Sequence, residues 1–128
     1  MRILPLYAAL LALLFVALSV RIVRLRHGLR IAIGDAGDKQ MLRALRVQAN
    51  FSEDVPLCLL LLYLLEAQGA AAWSLHVLGA CLLVGRLVHA FGVSQVRENL
   101  RFRITGMALT LGVLVTSAVS LLVRWIRL

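Results

Sequence analysis

Apolar residues fall into four blocks along the chain, and polar residues gather between them. Two of the blocks carry no charge at all: Ile3 to Val20, 18 residues, and Ile104 to Val123, 20 residues. At 1.5 Å per residue, each is close to the ~20 helical residues that cross ~30 Å of hydrocarbon. A third block, from about Ala70 to Val93, is interrupted by His76, Arg86 and His89. The remaining block, VPLCLLLLYLL between Asp54 and Glu66, has eleven residues and is too short to span. Something must still join the first block to the third across the bilayer, and the turn at Gln68-Gly69 leaves no room for a re-entrant loop. Counting ~20 residues back from Glu66 puts the far end of this helix near Arg46. The pattern predicts an all-α integral membrane four-helix bundle, a single domain over residues 1–128. Its helices are expected at about 3–26, 43–66, 70–93 and 103–125.

That count places Asn50, Glu53 and Asp54 inside or at the edge of the hydrocarbon layer. A charge at bilayer depth costs roughly 2.5–3.5 kcal/mol on insertion scales, and such residues normally face a bundle interior. The second helix is therefore where a site is expected.

Composition agrees with a nonaqueous solvent. Of the 128 residues, 62% are hydrophobic, and the mean hydropathy is +0.92, whereas a soluble domain is nearer half apolar. The net charge of +8 would point to nucleic acid in a soluble protein. Here the basic residues lie between apolar blocks, where they set topology and meet anionic headgroups, so no nucleic-acid partner is expected. Arg21 to Arg46 holds seven Lys or Arg against Asp35 and Asp38, and Arg97, Arg101 and Arg103 follow the third block. Both connections lie on one side of the bundle, which the positive-inside rule assigns to the cytoplasm. Met1-Arg2 and the first apolar run resemble the start of a signal peptide. Arg21, Arg24 and Arg26 follow in place of a small-residue cleavage site, so the segment is expected to stay as an anchor. Cys58 and Cys81 sit alone in apolar runs and read as small buried hydrophobes. In the last block Ala108, Gly112, Thr116 and Ser120 form a small-residue stripe of the kind that lets helices approach closely in lipid. General abundance of Ala and Gly would produce the same stripe.

On the second helix, Arg43, Arg46, Asn50 and Glu53 fall at i, i+3, i+7 and i+10, on one face. A guanidinium fork suits a carboxylate, an amide both donates and accepts, and a carboxylate pairs with an ammonium. The set would hold a zwitterionic, peptide-like ligand; alternatively it is an internal ion-pair network that fixes helix packing. Pro56 follows and frees the carbonyl of Ser52. Arg86 and His89 lie one turn apart on the third helix, either as part of the same pocket or as an interfacial arginine and a satisfied histidine. His76, near the other end, reads as a helix–helix hydrogen-bonding residue. No metal-ligand cluster, nucleophile–base set or phosphate-cradling glycine loop is present. A small multidrug exporter also has four short helices, but it needs a carboxylate inside the first, and Ile3 to Val20 has none.

Two stretches resemble the MAPEG family (membrane-associated proteins in eicosanoid and glutathione metabolism). They are Arg43-Ala-Leu-Arg46-Val-Gln-Ala-Asn50-Phe-Ser-Glu53-Asp-Val-Pro56 and Gly85-Arg86-Leu-Val-His89-Ala-Phe-Gly92, the second followed by Arg101-Phe-Arg103 and Gly106. The likeness covers essentially the whole chain, and bacterial members are closest in their brevity. It implies a homotrimer in a bacterial inner membrane, with glutathione as co-substrate between subunits near the cytoplasmic face. By position, Arg46, Asn50 and Glu53 would hold the tripeptide with Arg43 close by, and Arg86 and His89 would complete its site. The catalytic arginine that stabilises the glutathione thiolate would be Arg103 or Arg101. A nearby guanidinium favours S⁻, the nucleophilic form, without a covalent enzyme intermediate.

The implied activity is a glutathione-dependent membrane transferase or peroxidase that conjugates or reduces lipophilic electrophiles delivered by the bilayer. Several enzymes of the family carry a tyrosine four residues after the position of His89, where this chain has Val93. That departure keeps open a non-catalytic MAPEG-type protein that binds lipid or glutathione.

Overall fold

The computed structural model describes residues 2–127. Four helices follow one another: α1 Leu4–Leu29, α2 Lys39–Ala67, α3 Ala72–Ser94 and α4 Leu100–Ile126. Three of them, α1, α3 and α4, are long and apolar enough to cross a membrane. The fourth, α2, has 29 residues and at 1.5 Å each is about 43 Å long, so it also runs the height of the bundle. Its charged half is helical because Asp38 caps it: the Asp38 carboxylate accepts from Met41 N at 2.8 Å and satisfies one of the donors a helix start leaves free. The helix thus begins four residues before Arg43. Pro56 lies inside it without ending it. At the opposite end of the chain, α4 starts at Leu100, with the Asn99 side chain accepting from Arg101 N at 3.1 Å.

The helices are arranged with α2 and α3 in the middle. Helix α1 packs on α2 and α3, α4 packs on α3 and α2, and α1 and α4 do not meet. Each outer helix therefore buries one narrow stripe: Leu4, Tyr7, Leu11, Leu18 and Ile22 on α1, and Gly106, Thr110, Val113 and Ser117 on α4. Leu6, Leu13, Val16 and Val23 on α1, and Leu111, Val115, Val119 and Leu122 on α4, are exposed large apolar residues. In water such a surface would aggregate; in a bilayer it meets acyl chains.

The small-residue stripe expected to mediate packing on α4 does not do so within the chain. Ala108, Gly112 and Thr116 are exposed, Ser120 is only partly buried, and a Cβ built on Gly112 meets nothing within 4 Å. The close approach uses Gly106 instead, one turn and a half earlier. A Cβ there would fall 2.7 Å from Gly85 O and 2.6 Å from His89 Cβ, so α3 and α4 touch backbone to backbone at that level.

Two further contacts close the far end. Glu66 accepts from the backbone N–H groups of Ile3 and, at 3.0 Å, of Leu4, which puts a carboxylate at the positive end of α1. Tyr7 OH lies 3.0 Å from His76 Nδ1 and donates to His76 O at 3.1 Å, the interhelical role expected of His76. The α2–α3 turn is tight: Gly69 adopts φ 72° and Ala70 N bonds back to Leu65 O at 3.0 Å, the six-to-one closure that follows a left-handed residue.

Candidate functional site

The polar residues of α2 divide between two directions. Arg43 and Asn50 turn partly inward, whereas Arg46 and Glu53, one turn away from them, are exposed on the surface of the chain. Neither Arg46 nor Glu53 has a hydrogen-bond or ion-pair partner among the described residues.

Behind them, at the centre of the bundle, lies Arg86, 1% exposed. Its Nη2 donates to Asn50 Oδ1 at 2.8 Å and lies 3.3 Å from His89 Nδ1. Because arginine only donates, that ring nitrogen accepts and the ring proton sits on Nε2. On the other side Nη1 reaches Thr110 Oγ1 of α4 at 3.5 Å and Asp54 Oδ2 of α2 at 3.7 Å. The guanidinium also lies 5.7 Å from the Phe51 ring centroid, within cation–π range. One cation thus ties α2, α3 and α4 together, with Asp54 as its counter-charge. A charge buried so deeply persists only when paired and hydrogen-bonded. His89, also buried, packs against the Gly106 backbone.

Nearer the α3–α4 connection a second cluster forms around Glu98. Arg43 Nη1 donates to Glu98 Oε2 at 2.9 Å and to Val93 O at 3.1 Å. The other oxygen, Oε1, lies 3.6 Å from Arg103 Nη1. Glu98 therefore bridges Arg43 of α2 and Arg103 of α4, and the Arg103 side chain remains 54% exposed. Arg101 is exposed at the first turn of α4. Val93, in the position of the family tyrosine, is buried, and its carbonyl is occupied by Arg43.

Of the expected residues, the fold brings Arg43 and Arg103 together through Glu98, and Asn50, Arg86 and His89 together directly. Arg46, Glu53 and Arg101 stand outside both clusters, facing outward. Asp54, whose depth the sequence shows, and Glu98 are the acids that the expected residue set leaves out. Each had a signal: Asp54 is a charge at bilayer depth, and Glu98 is the lone acid in an arginine-rich connection.

The profile of the MAPEG family matches residues 4–123, nearly the whole chain. The chain belongs to the MAPEG family. It is also 39% identical over 105 residues to the inner membrane protein YecN of Escherichia coli K12, covering 82% of this chain and 79% of that protein. The same identity and coverage hold for YecN of the O6:H1 strain CFT073. As a MAPEG chain with apolar spans, this is an integral membrane protein, and both clusters lie within residues 4–123 matched by the family profile.

Proposed function

We propose that the protein is a glutathione-dependent membrane transferase or peroxidase acting on lipophilic electrophiles. The observation that carries the reading is the pair Arg46 and Glu53, exposed and without a partner among the described residues, on either side of Asn50. An uncompensated guanidinium and carboxylate beside hydrocarbon are expensive unless a ligand or a neighbouring subunit meets them. A zwitterionic tripeptide supplies the complementary charges: carboxylate for Arg46, ammonium for Glu53, and an acceptor oxygen for Asn50. The outward direction of these side chains fits a site completed by a neighbouring chain in a homotrimer.

Arg103, close to Arg43 through Glu98, is the guanidinium that would lower the thiol pKa and hold the thiolate, with Arg101 as the alternative. Arg43, Arg86 and His89 support the site from behind. Arg86 and His89 are buried, so they act through Asn50. Lipophilic substrate would enter from the bilayer and glutathione from the cytoplasm, consistent with a bacterial inner membrane and with the α1–α2 and α3–α4 connections on the cytoplasmic side.

The deciding experiment is titration of the purified protein with glutathione at neutral pH, following thiolate absorbance in the far ultraviolet. A saturable signal that is lost in Arg103→Ala supports an enzyme. Buried Val93, which offers no phenol to the sulfur, favours a second reading: a binding protein of the same family without turnover. That reading gains if glutathione binds by calorimetry while no thiolate forms.

A further inference from the structure

At the end of the bundle away from these clusters, α3 and α4 part. Where they touch, a Cβ on Gly85 would lie 3.1 Å from Gly106 O, and one on Gly92 would lie 2.6 Å from Phe102 Cβ. Toward Trp73 and Trp125 the space between them opens into a groove of about 940 Å³. Its α4 wall carries Thr116, Val119, Ser120, Val123, Arg124 and Arg127. These recur at three- and four-residue steps and form one helix face. Leu65, Val77 and Leu78 complete an apolar interior, and among the described residues no carboxylate lines it.

Two features set the level of this groove in the membrane. Trp73 and Trp125 are each 72% exposed, and exposed tryptophans sit at the headgroup level. From Thr116 to Arg127 the α4 wall rises eleven positions, about 16 Å at 1.5 Å per residue. That is about half of the ~30 Å hydrocarbon thickness, the depth of one leaflet. Both arginines stand at the mouth. Arg124 Nη1 is anchored by donating to Gln68 O at 3.2 Å, which leaves other donors of its fork free.

We propose that this groove binds one anionic phospholipid, one of its two acyl chains along Val77, Val119 and Val123 and its phosphate at Arg124 and Arg127. An acyl chain matches the one-leaflet depth and the apolar walls. Guanidinium groups recognise phosphate by forked, charge-assisted hydrogen bonds. A zwitterionic headgroup would bring its own cation against the two arginines, so the groove selects lipids with net negative charge. The site is separate from the glutathione reading and does not depend on it.

The test is native mass spectrometry of the full chain, purified in detergent and stripped of lipid, with phosphatidylglycerol or phosphatidylcholine of the same acyl chains added back. The expected result is one phosphatidylglycerol per chain, retained about ten-fold better than phosphatidylcholine. Arg124→Gln and Arg127→Gln should each lower phosphatidylglycerol retention by about five-fold, the worth of one arginine near an anionic surface. Ser120→Trp should expel both lipids with the arginines intact, and Arg97→Gln at the other end should change nothing. The proposal is overturned by equal retention of the two lipids, or by an equal loss in Arg97→Gln. It is overturned equally by displacement with millimolar inorganic phosphate, which would make this a free-anion site. It also fails if Ser120→Trp retains lipid, or if that variant instead dissociates an oligomer, which would put a second copy in the groove.

Discussion

Arg86 Nη2 and Asn50 Oδ1 meet at 2.8 Å across α3 and α2, and that bond fixes what Asn50 can offer a ligand. With its carbonyl oxygen engaged by a buried guanidinium, the amide nitrogen is the atom left over, and it only donates. A ligand at Asn50 must therefore present an acceptor. Asn50→Asp keeps the partner of Arg86 but replaces the donor with a second carboxylate oxygen. This variant should fold as well as the parent, by thermal unfolding in detergent, and should lose about ten-fold or more in glutathione affinity by calorimetry, roughly the worth of one hydrogen bond to a charged group. Retained affinity would show that the amide faces the other way.

Removing Arg86 itself should act mainly on stability. Arg86→Leu leaves Asn50 and Thr110 without their shared donor and Asp54 without its ion pair, and breaking one side of a buried pair costs about 3–5 kcal/mol. The Asp54 side chain is 25% exposed, so the lower end of that range is expected here. The double variant Arg86→Leu, Asp54→Leu should recover a large part of the loss, because neither charge is then stranded. A double-mutant cycle of unfolding in detergent measures the coupling. Additive losses would mean that the two side chains do not act as a pair.

The depth of Asp54 could be read from the sequence by counting residues back from Glu66, and so could the existence of α2, even though only eleven of its residues are continuously apolar. The orientation of Arg86 could not. Whether an arginine in an apolar helix reaches toward headgroups or turns inward depends on what two other helices place opposite it. Here those are Asn50, Asp54 and Thr110, and Thr110 gave no signal at all. Glu98 was hidden for another reason: in a connection read for its arginines, one acid looks incidental until the fold brings Arg43 to it from 55 residues away. Which face of α4 packs within the chain could not be read either, because its two small-residue rows, Gly106–Thr110–Ser117 and Ala108–Gly112–Thr116, have similar composition and differ only by rotation about the axis.

The Glu98 bridge yields a prediction that separates architecture from chemistry. Glu98→Gln keeps the shape and removes the charge that holds Arg43 and Arg103. Arg43 loses a largely buried charge-assisted bond, so stability should fall by about 1.5–3 kcal/mol. Arg103, released from its counter-charge, should favour the thiolate of bound glutathione more strongly, and the thiolate absorbance per bound glutathione at neutral pH should rise. A fall in that signal, at full glutathione occupancy, would mean that Glu98 serves to aim Arg103 and that aim matters more than net charge.

The far-end contacts predict two smaller and independent losses. Glu66→Ala removes the carboxylate that caps α1 and should lower stability by about 1 kcal/mol. Tyr7→Phe removes the hydroxyl that joins α1 to His76 and should lower it by about as much. The two pairs share no partner, so the double variant should show the sum of the single effects within a few tenths of a kcal/mol. Thiolate formation should be unchanged in all three, since these residues lie at the opposite end of the bundle from Arg103; a change would reveal coupling along the helices.

Two glycines on α4 make the sharpest contrast. Gly106→Ala would set a methyl 2.6 Å from His89 Cβ and 2.7 Å from both Gly85 O and His89 N. Two of those neighbours are backbone and cannot swing aside, so α3 and α4 must separate, at about 1–3 kcal/mol. The displaced His89 would also disturb Arg86, so loss of glutathione binding should accompany the loss of stability. Gly112→Ala, six residues on, meets nothing within 4 Å, and alanine is the better helix former by about 0.8–1.0 kcal/mol. The single chain thus predicts an unchanged or slightly raised melting temperature for Gly112→Ala and a clear drop for Gly106→Ala. Measured on the assembled protein, a drop in Gly112→Ala accompanied by dissociation would put a helix of a neighbouring copy against the Ala108–Gly112–Thr116 row, giving that exposed stripe the packing role it lacks within one chain.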